Sequence, residues 1–136
     1  MFGVIYLSKT GNTKKIAEVI AAELGVTAED VKTKDKLAKD SFALLGSGCY
    51  FPIPGRGFKK FINRNDFDGR KVALFGTSGS GKGDEAKALE KMTAAKGAKV
   101  MGKFYCRGKF LFFSRKHPTA EDLENAKNFA GEMKEA

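Results

Sequence analysis

Two stretches of this chain carry residue types that can hold a phosphate. The first is Ser8-Lys9-Thr10-Gly11-Asn12-Thr13, which offers hydroxyls, an amide and a glycine. It follows the apolar run Phe2-Gly3-Val4-Ile5-Tyr6-Leu7 and precedes a helical pattern, so it is a strand-to-helix turn. Consecutive backbone N–H groups at such a turn point into a concavity at a helix N-terminus, where the helix dipole favours an anion. Serine and threonine hydroxyls can donate to the remaining phosphate oxygens. The second stretch is Gly76-Thr77-Ser78-Gly79-Ser80-Gly81-Lys82-Gly83, which follows Val72-Ala73-Leu74-Phe75. It approaches the nucleotide-triphosphate loop G-x-x-x-x-G-K-[ST], but Gly83 stands where the Mg²⁺-holding hydroxyl belongs. The strands end in Ser8, Ser47 and Thr77, so no second carboxylate is expected at a strand end, and only Asp84 lies nearby. Phosphoryl transfer is therefore disfavoured.

The surrounding elements set where these loops meet. Ile16, Val19, Ile20 and Leu24 form one helical stripe, with Gly25 at the C-terminal cap position. A short edge strand is expected near Asp30-Val31-Lys32, in a lysine-rich segment that discourages edge pairing. Phe42-Ala43-Leu44-Leu45 reads as a buried strand ending in the loop Gly46 to Gly55, which holds two prolines. Phe58, Phe61 and Ile62 mark a short amphipathic helix, and Asp68-Gly69 a turn into the strand Lys71 to Phe75. Asp84 is placed to cap a helix reaching about Lys96, with Leu89, Met92 and Ala95 facing inward. Lys99 to Cys106 is the last strand. Thr119-x-x-Asp122 is a capping box opening a helix with Leu123, Ala126, Ala130 and Met133 on one face. Strands and helices alternate, which predicts an α/β fold: a doubly wound, five-stranded parallel sheet in the order 2-1-3-4-5, formed by one domain over residues 1–136. Ligands of such sheets bind outside the carboxyl ends of the strands. That geometry gathers residues 8–13, 48–55 and 77–82 into one cleft.

At this point the first loop becomes specific. Val4 to Leu7 followed by Ser8, Thr10, Gly11, Asn12 and Thr13 resembles the flavodoxin family's phosphate loop, (S/T)-x-T-G-N-T. A strand ending Gly46-Ser47-Gly48, a proline-bearing loop, the Phe58-x-x-Phe61 helix and Asp68-Gly69-Arg70-Lys71-Val72-Ala73-Leu74-Phe75-Gly76-Thr77-Ser78-Gly79 are similar to the family's central portion. The resemblance implies a flavodoxin-like fold, an FMN site and electron transfer. It implies a phosphate held by Ser8, Lys9, Thr10, Gly11, Asn12 and Thr13. A second wall would come from Gly48, Cys49, Tyr50 and Phe51, with Tyr50 and Phe51 as stacking candidates. A third would come from Thr77, Ser78, Gly79, Ser80 and Gly81. Gly46, Gly48 and Gly55 would permit close backbone approach. The third loop lacks the aromatic that often covers the ring in this family, which leaves one flavin face open to a flat partner or substrate.

Charge departs from the family pattern. Twenty-five basic residues against sixteen acidic give a net charge of +9, whereas electron-carrying flavodoxins are typically acidic. Lys9, Lys14, Lys15, Arg56, Lys59, Lys60 and Lys82 stand around the expected rim. This favours an acidic redox partner. A positive charge about 10 Å from a reduced, anionic flavin stabilises it by roughly 0.4 to 1.7 kcal/mol, or about 20 to 70 mV for one electron.

The remaining features limit the alternatives. The composition, 42% hydrophobic and 30% charged, is that of a soluble globular chain, without an apolar run of membrane length. Met1 leads straight into a strand-like run, with neither a basic n-region nor a cleavage site, which points to the cytoplasm. Cys49, Cys106 and the lone His117 have no metal-ligand spacing, and each cysteine reads as a small buried hydrophobe. Basic residues interleave with aromatics from Lys103 to His117, a pattern that also suits single-stranded nucleic acid. Packing of a last strand and its extension explains it more simply, so nucleic acid is the weaker reading. A flavin-free interaction module is opposed by the intact first loop. With no G-x-G-x-x-G for a nicotinamide and no acid/base constellation, an electron shuttle is favoured over a flavin or quinone reductase. A monomer or weak dimer is expected.

Overall fold

The computed structural model describes residues 1–9, 11–48, 55–78, 83–107 and 118–136. Five strands and four helices follow in the order β1 (Phe2–Leu7), α1 (Asn12–Leu24), β2 (Ala28–Asp30), β3 (Phe42–Gly48), α2 (Arg56–Arg64), β4 (Lys71–Ser78), α3 (Asp84–Ala95), β5 (Lys99–Arg107) and α4 (Ala120–Glu135). The strands form one parallel sheet in the order β2-β1-β3-β4-β5, as expected for a doubly wound α/β fold.

Alternation along each strand divides the core between the two faces of the sheet. On one face, Val4, Tyr6, Phe42, Leu44, Ala73, Phe75 and Cys106 pack with Ile16 and Ile20 of α1 and with Ala126, Phe129 and Met133 of α4. On the other, Ile5, Leu7, Ala43, Leu45, Val72 and Leu74 meet Phe58, Phe61 and Ile62 of α2 and Ala86 and Leu89 of α3. Both faces of β1, β3 and β4 are covered, which is why these strands read as continuous apolar runs. Each fully buried phenylalanine or isoleucine contributes about 1.5 to 3 kcal/mol relative to exposure.

Three local expectations are corrected. The edge strand is Ala28–Asp30, two residues earlier than Asp30-Val31-Lys32. Val31 still donates its N–H to the Tyr6 carbonyl at 2.8 Å and is buried, but Thr33 N–H closes onto the Asp30 carbonyl and ends the strand in a turn. Asp84 does not cap α3. Gly83 is the cap residue, in a left-handed conformation (φ 76°), and Asp84 is the first helical residue without a side-chain capping bond. The inward face of α3 is Glu85, Ala86, Leu89 and Thr93; Met92 is half-buried and Ala95 exposed. The helix is rotated toward its 85–89–93 line, which brings Glu85 under the sheet. On α4 the capping box forms as expected: Asp122 N–H donates to Thr119 Oγ1 at 3.1 Å, and Thr119 N–H to Asp122 Oδ2 at 2.8 Å. Phe129, absent from the expected stripe, is buried there and lies 5.6 Å from the Phe104 ring.

Candidate functional site

Parallel register sets the strand ends level. Leu7 pairs with Ser47, Ser47 with Gly76, and Gly48 with Thr77. The turn after β1, the end of β3 and the end of β4 are thereby brought to one edge of the sheet, as the sequence predicts.

At the first turn, Gly11 adopts φ 88° and donates its N–H to Ser8 Oγ at 3.0 Å. The left-handed glycine reverses the chain between strand and helix, which a side chain would strain. Helix α1 then starts without a side-chain cap and without an acidic residue in its first turn. Among the described residues, no acidic side chain in that turn competes with an anion for the helix N-terminus. Asn12 and Thr13 are buried, whereas Lys9, Lys14 and Lys15 are exposed around the turn. Thr13 Oγ1 lies 2.7 Å from Thr77 Oγ1, a buried hydrogen bond that ties the first helix to the end of β4.

The second and third walls are partly described. Thr10, Cys49, Tyr50, Phe51, Gly79, Ser80, Gly81 and Lys82 lie outside the described residues. Gly48 closes β3 and is buried, Thr77 is buried, and Ser78 is the last residue of β4. Gly46 and Gly55 each leave room for a neighbouring side chain of the fold. The Phe75 ring occupies the space beside Gly46, and a Cβ on Gly55 would stand 2.5 Å from Leu7 Cδ2. Arg56, Lys59 and Lys60 are exposed on α2.

One carboxylate at this edge was not expected. Glu85 of α3 is fully buried, and its carboxyl rests on Gly76 at the end of β4. Among the described residues, neither oxygen has a hydrogen-bond partner in another residue. Burial pushes the carboxyl up to about 7. Its own main-chain N–H offsets part of this, Asp84 adds to the rise and Lys87 opposes it. The signal was present in the sequence: Glu85 lies four residues before Leu89, on the same helical face. Nearby, the Cys106 thiol is pushed up to about 12 by burial, then by Asp122 and Glu85, so it is a neutral core residue as expected. Tyr105, 42% exposed on β5, packs over Gly83, where a Cβ would stand 2.6 Å from its ring.

Two further regions are structural. A cavity of about 780 Å³ opens at the opposite end of the sheet, lined by Met1, Lys36, Arg64, Arg70 and Ala136 among others. Its cations bind main-chain carbonyls: Lys36 Nζ donates to Arg64 O at 2.7 Å, and Arg70 Nη1 to Ser41 O at 2.9 Å. The basic aromatic stretch is also engaged in part. Lys103 pairs with Glu90 at 2.9 Å, and Phe104 packs beneath α4. Among the described residues, no group of three or more His, Cys, Asp or Glu side chains could hold a metal, and no helix is long and apolar enough to cross a membrane.

Comparison with known proteins agrees with this architecture. The flavodoxin domain family matches residues 3–111. A flavodoxin of Clostridium beijerinckii is 31% identical over 109 residues, covering 72% of this chain and 79% of that protein. An uncharacterised protein of Methanocaldococcus jannaschii is 31% identical over 134 residues, covering 88% and 87%. Among solved structures, an archaeal flavodoxin superposes with a TM-score of 0.73 at 20% identity, over 99% of this chain and 97% of its own. The chain belongs to the flavodoxin family.

Proposed function

We propose that this flavodoxin-family chain binds FMN across the ends of β1, β3 and β4 and carries electrons between protein partners. The observation that carries the reading is the turn at residues 8–13. An uncapped helix N-terminus stands at the end of β1, shaped by the Ser8–Gly11 contact and fastened to β4 by the Thr13–Thr77 bond. These residues suit a phosphate in hydroxyl supply, in helix dipole and in the absence of a competing acid. FMN, when bound, supplies one- and two-electron redox chemistry.

This chain's own residues bind and orient the cofactor. Ser8, Lys9, Thr10, Gly11, Asn12 and Thr13 hold its phosphate. Gly48, Cys49, Tyr50 and Phe51 form the second wall, and Thr77, Ser78, Gly79, Ser80 and Gly81 the third. The exposed cations Lys9, Lys14, Lys15, Arg56, Lys59 and Lys60 supply a basic rim, which suits an acidic redox protein as partner. The engagement of Lys103 and Phe104 within the fold weighs against nucleic acid.

The test is a visible spectrum of FMN-reconstituted protein during stepwise reduction. Two resolved one-electron steps support the carrier. Rapid two-electron reduction by a nicotinamide, without an intermediate step, supports the alternative of a small FMN-dependent oxidoreductase. A chain that binds no flavin refutes both.

A further inference from the structure

Among the described residues, Glu85 is the one charged side chain that is wholly buried, and neither carboxyl oxygen has a hydrogen-bond partner in another residue. A buried carboxylate in that condition is costly, whereas a neutral acid is tolerated. Its position gives this a consequence. The carboxyl fills the space beside Gly76, where any Cβ would collide with it. By register, Gly76 lies between Ser47 of β3 and Tyr105 of β5. The next residue, Thr77, faces the opposite side of the sheet and is bonded to Thr13. The end of β4 is therefore gripped from both sides, by α3 through Glu85 and by α1 through Thr13.

Among the described residues, the titratable groups around Glu85 are few. Its own helix contributes Asp84 and Lys87, and β5 contributes Cys106, itself under the influence of Asp122 on α4. Tyr105 stands over Gly83, and Lys103 is paired with Glu90. The ends of β3 and β4 present Ser47, Gly48, Gly76 and Thr77, none of them titratable in the neutral range. The nearest cations of α1, Lys14 and Lys15, are exposed.

We propose that Glu85 is a proton-linked positioning residue of the flavin cleft, which takes up a proton from solvent when an anionic cofactor fills the cleft. The inference rests on the proposed FMN site. A phosphate dianion at the strand ends disfavours a second negative charge beneath β4, so the carboxylate gains a proton as the cofactor binds. The proton comes from the buffer and goes to a Glu85 carboxyl oxygen; no electron moves and no bond forms to the cofactor. Protonated Glu85 keeps its seat against Gly76, and the Thr77–Thr13 tie stays in register. Ionised Glu85 must draw water or shift the end of β4.

Calorimetric titration of the apoprotein with FMN, at about pH 8 in buffers of different ionisation enthalpy, measures the protons taken up. The wild type is expected to take up more than Glu85→Gln. Its FMN dissociation constant should also rise with pH more steeply above neutrality, by up to roughly tenfold per pH unit at full linkage. Protonation of the FMN phosphate contributes to both proteins alike and cancels in the comparison. If Glu85→Gln fails to fold, the wild type alone decides. The ¹³C shift of its Glu85 carboxyl should titrate near neutrality in the apoprotein and at higher pH in the complex. Titration in the ordinary glutamate range, or an unchanged midpoint in the complex, overturns the inference, as does equal proton uptake by the two proteins. FMN that binds at no pH overturns the proposed function, and this inference with it.

Discussion

Thr13 and Thr77, 64 positions apart in the chain, meet through their hydroxyls at 2.7 Å inside the protein. One belongs to the first turn of α1 and the other to the end of β4, so the bond fastens the turn after β1 to the end of β4. Thr77→Val keeps the shape but leaves the Thr13 hydroxyl without its partner. We expect a loss of about 1 to 3 kcal/mol in urea denaturation. The double variant Thr13→Val with Thr77→Val should lose less than the sum of the singles, since no orphaned hydroxyl remains. Strict additivity would show that the two side chains are not coupled.

Glu85 makes a prediction about stability that needs no cofactor. Its folded-state pKa of about 7 lies above the ordinary carboxyl value of 4.5. The folded state therefore holds the proton more tightly, and the associated stabilisation is fully present below the unfolded value. It is lost as pH rises through about 7. The slope within this window is at most about 1.4 kcal/mol per pH unit. Against Glu85→Gln, wild-type apoprotein should lose stability across the window and level off above it. Parallel profiles for the two proteins would remove the basis for the shift.

Gly46 offers a test of packing at the same edge. The Phe75 ring occupies the place a side chain at residue 46 would need. Gly46→Ala should cost about 1 to 3 kcal/mol or more, as the buried ring is forced off its seat. Adding Phe75→Leu should recover part of that loss. A Gly46→Ala protein with wild-type denaturation would show that the ring relocates freely.

The basic rim yields an electrochemical expectation under the proposed function. Replacing Lys59 or Arg56 by Gln should move the second one-electron potential of bound FMN negative, by roughly 20 to 70 mV if the charge lies about 10 Å from the ring. The effect should shrink as salt is added. Potentials unchanged at low salt would mean that these cations sit too far from the flavin to matter.

Much of the fold was legible because burial on both faces leaves a simple mark. β1, β3 and β4 are apolar runs, and Gly25 and the Thr119–Asp122 box mark helix ends by their own backbone chemistry. The strand-to-helix turn after β1 was legible for the same reason: it is made locally, around a left-handed glycine at 11. What escaped depends on contacts distant in the chain. Val31 looks like a strand residue, yet it is buried in a turn just past β2. Asp84 looks like a cap, but Gly83 brings the chain into α3 in a conformation that makes Asp84 the first helical residue. Glu85 was passed over because acids in a first turn usually face water; the absence of a side chain at Gly76 makes room for it.

Gly46 and Gly76 share more than the lack of a side chain. Each leaves a space that a bulkier neighbour fills from outside its own strand: Phe75 beside Gly46 on one face of the sheet, and Glu85 beside Gly76 on the other. Volume at these places is held jointly by two residues, so a change in one restricts what the other can become. Relatives that share this edge should therefore vary in pairs. An alanine at position 76 should accompany a shorter residue at 85, and a side chain at 46 a smaller one at 75. The strand ends of the cleft would then drift through evolution by compensated exchanges rather than by single steps.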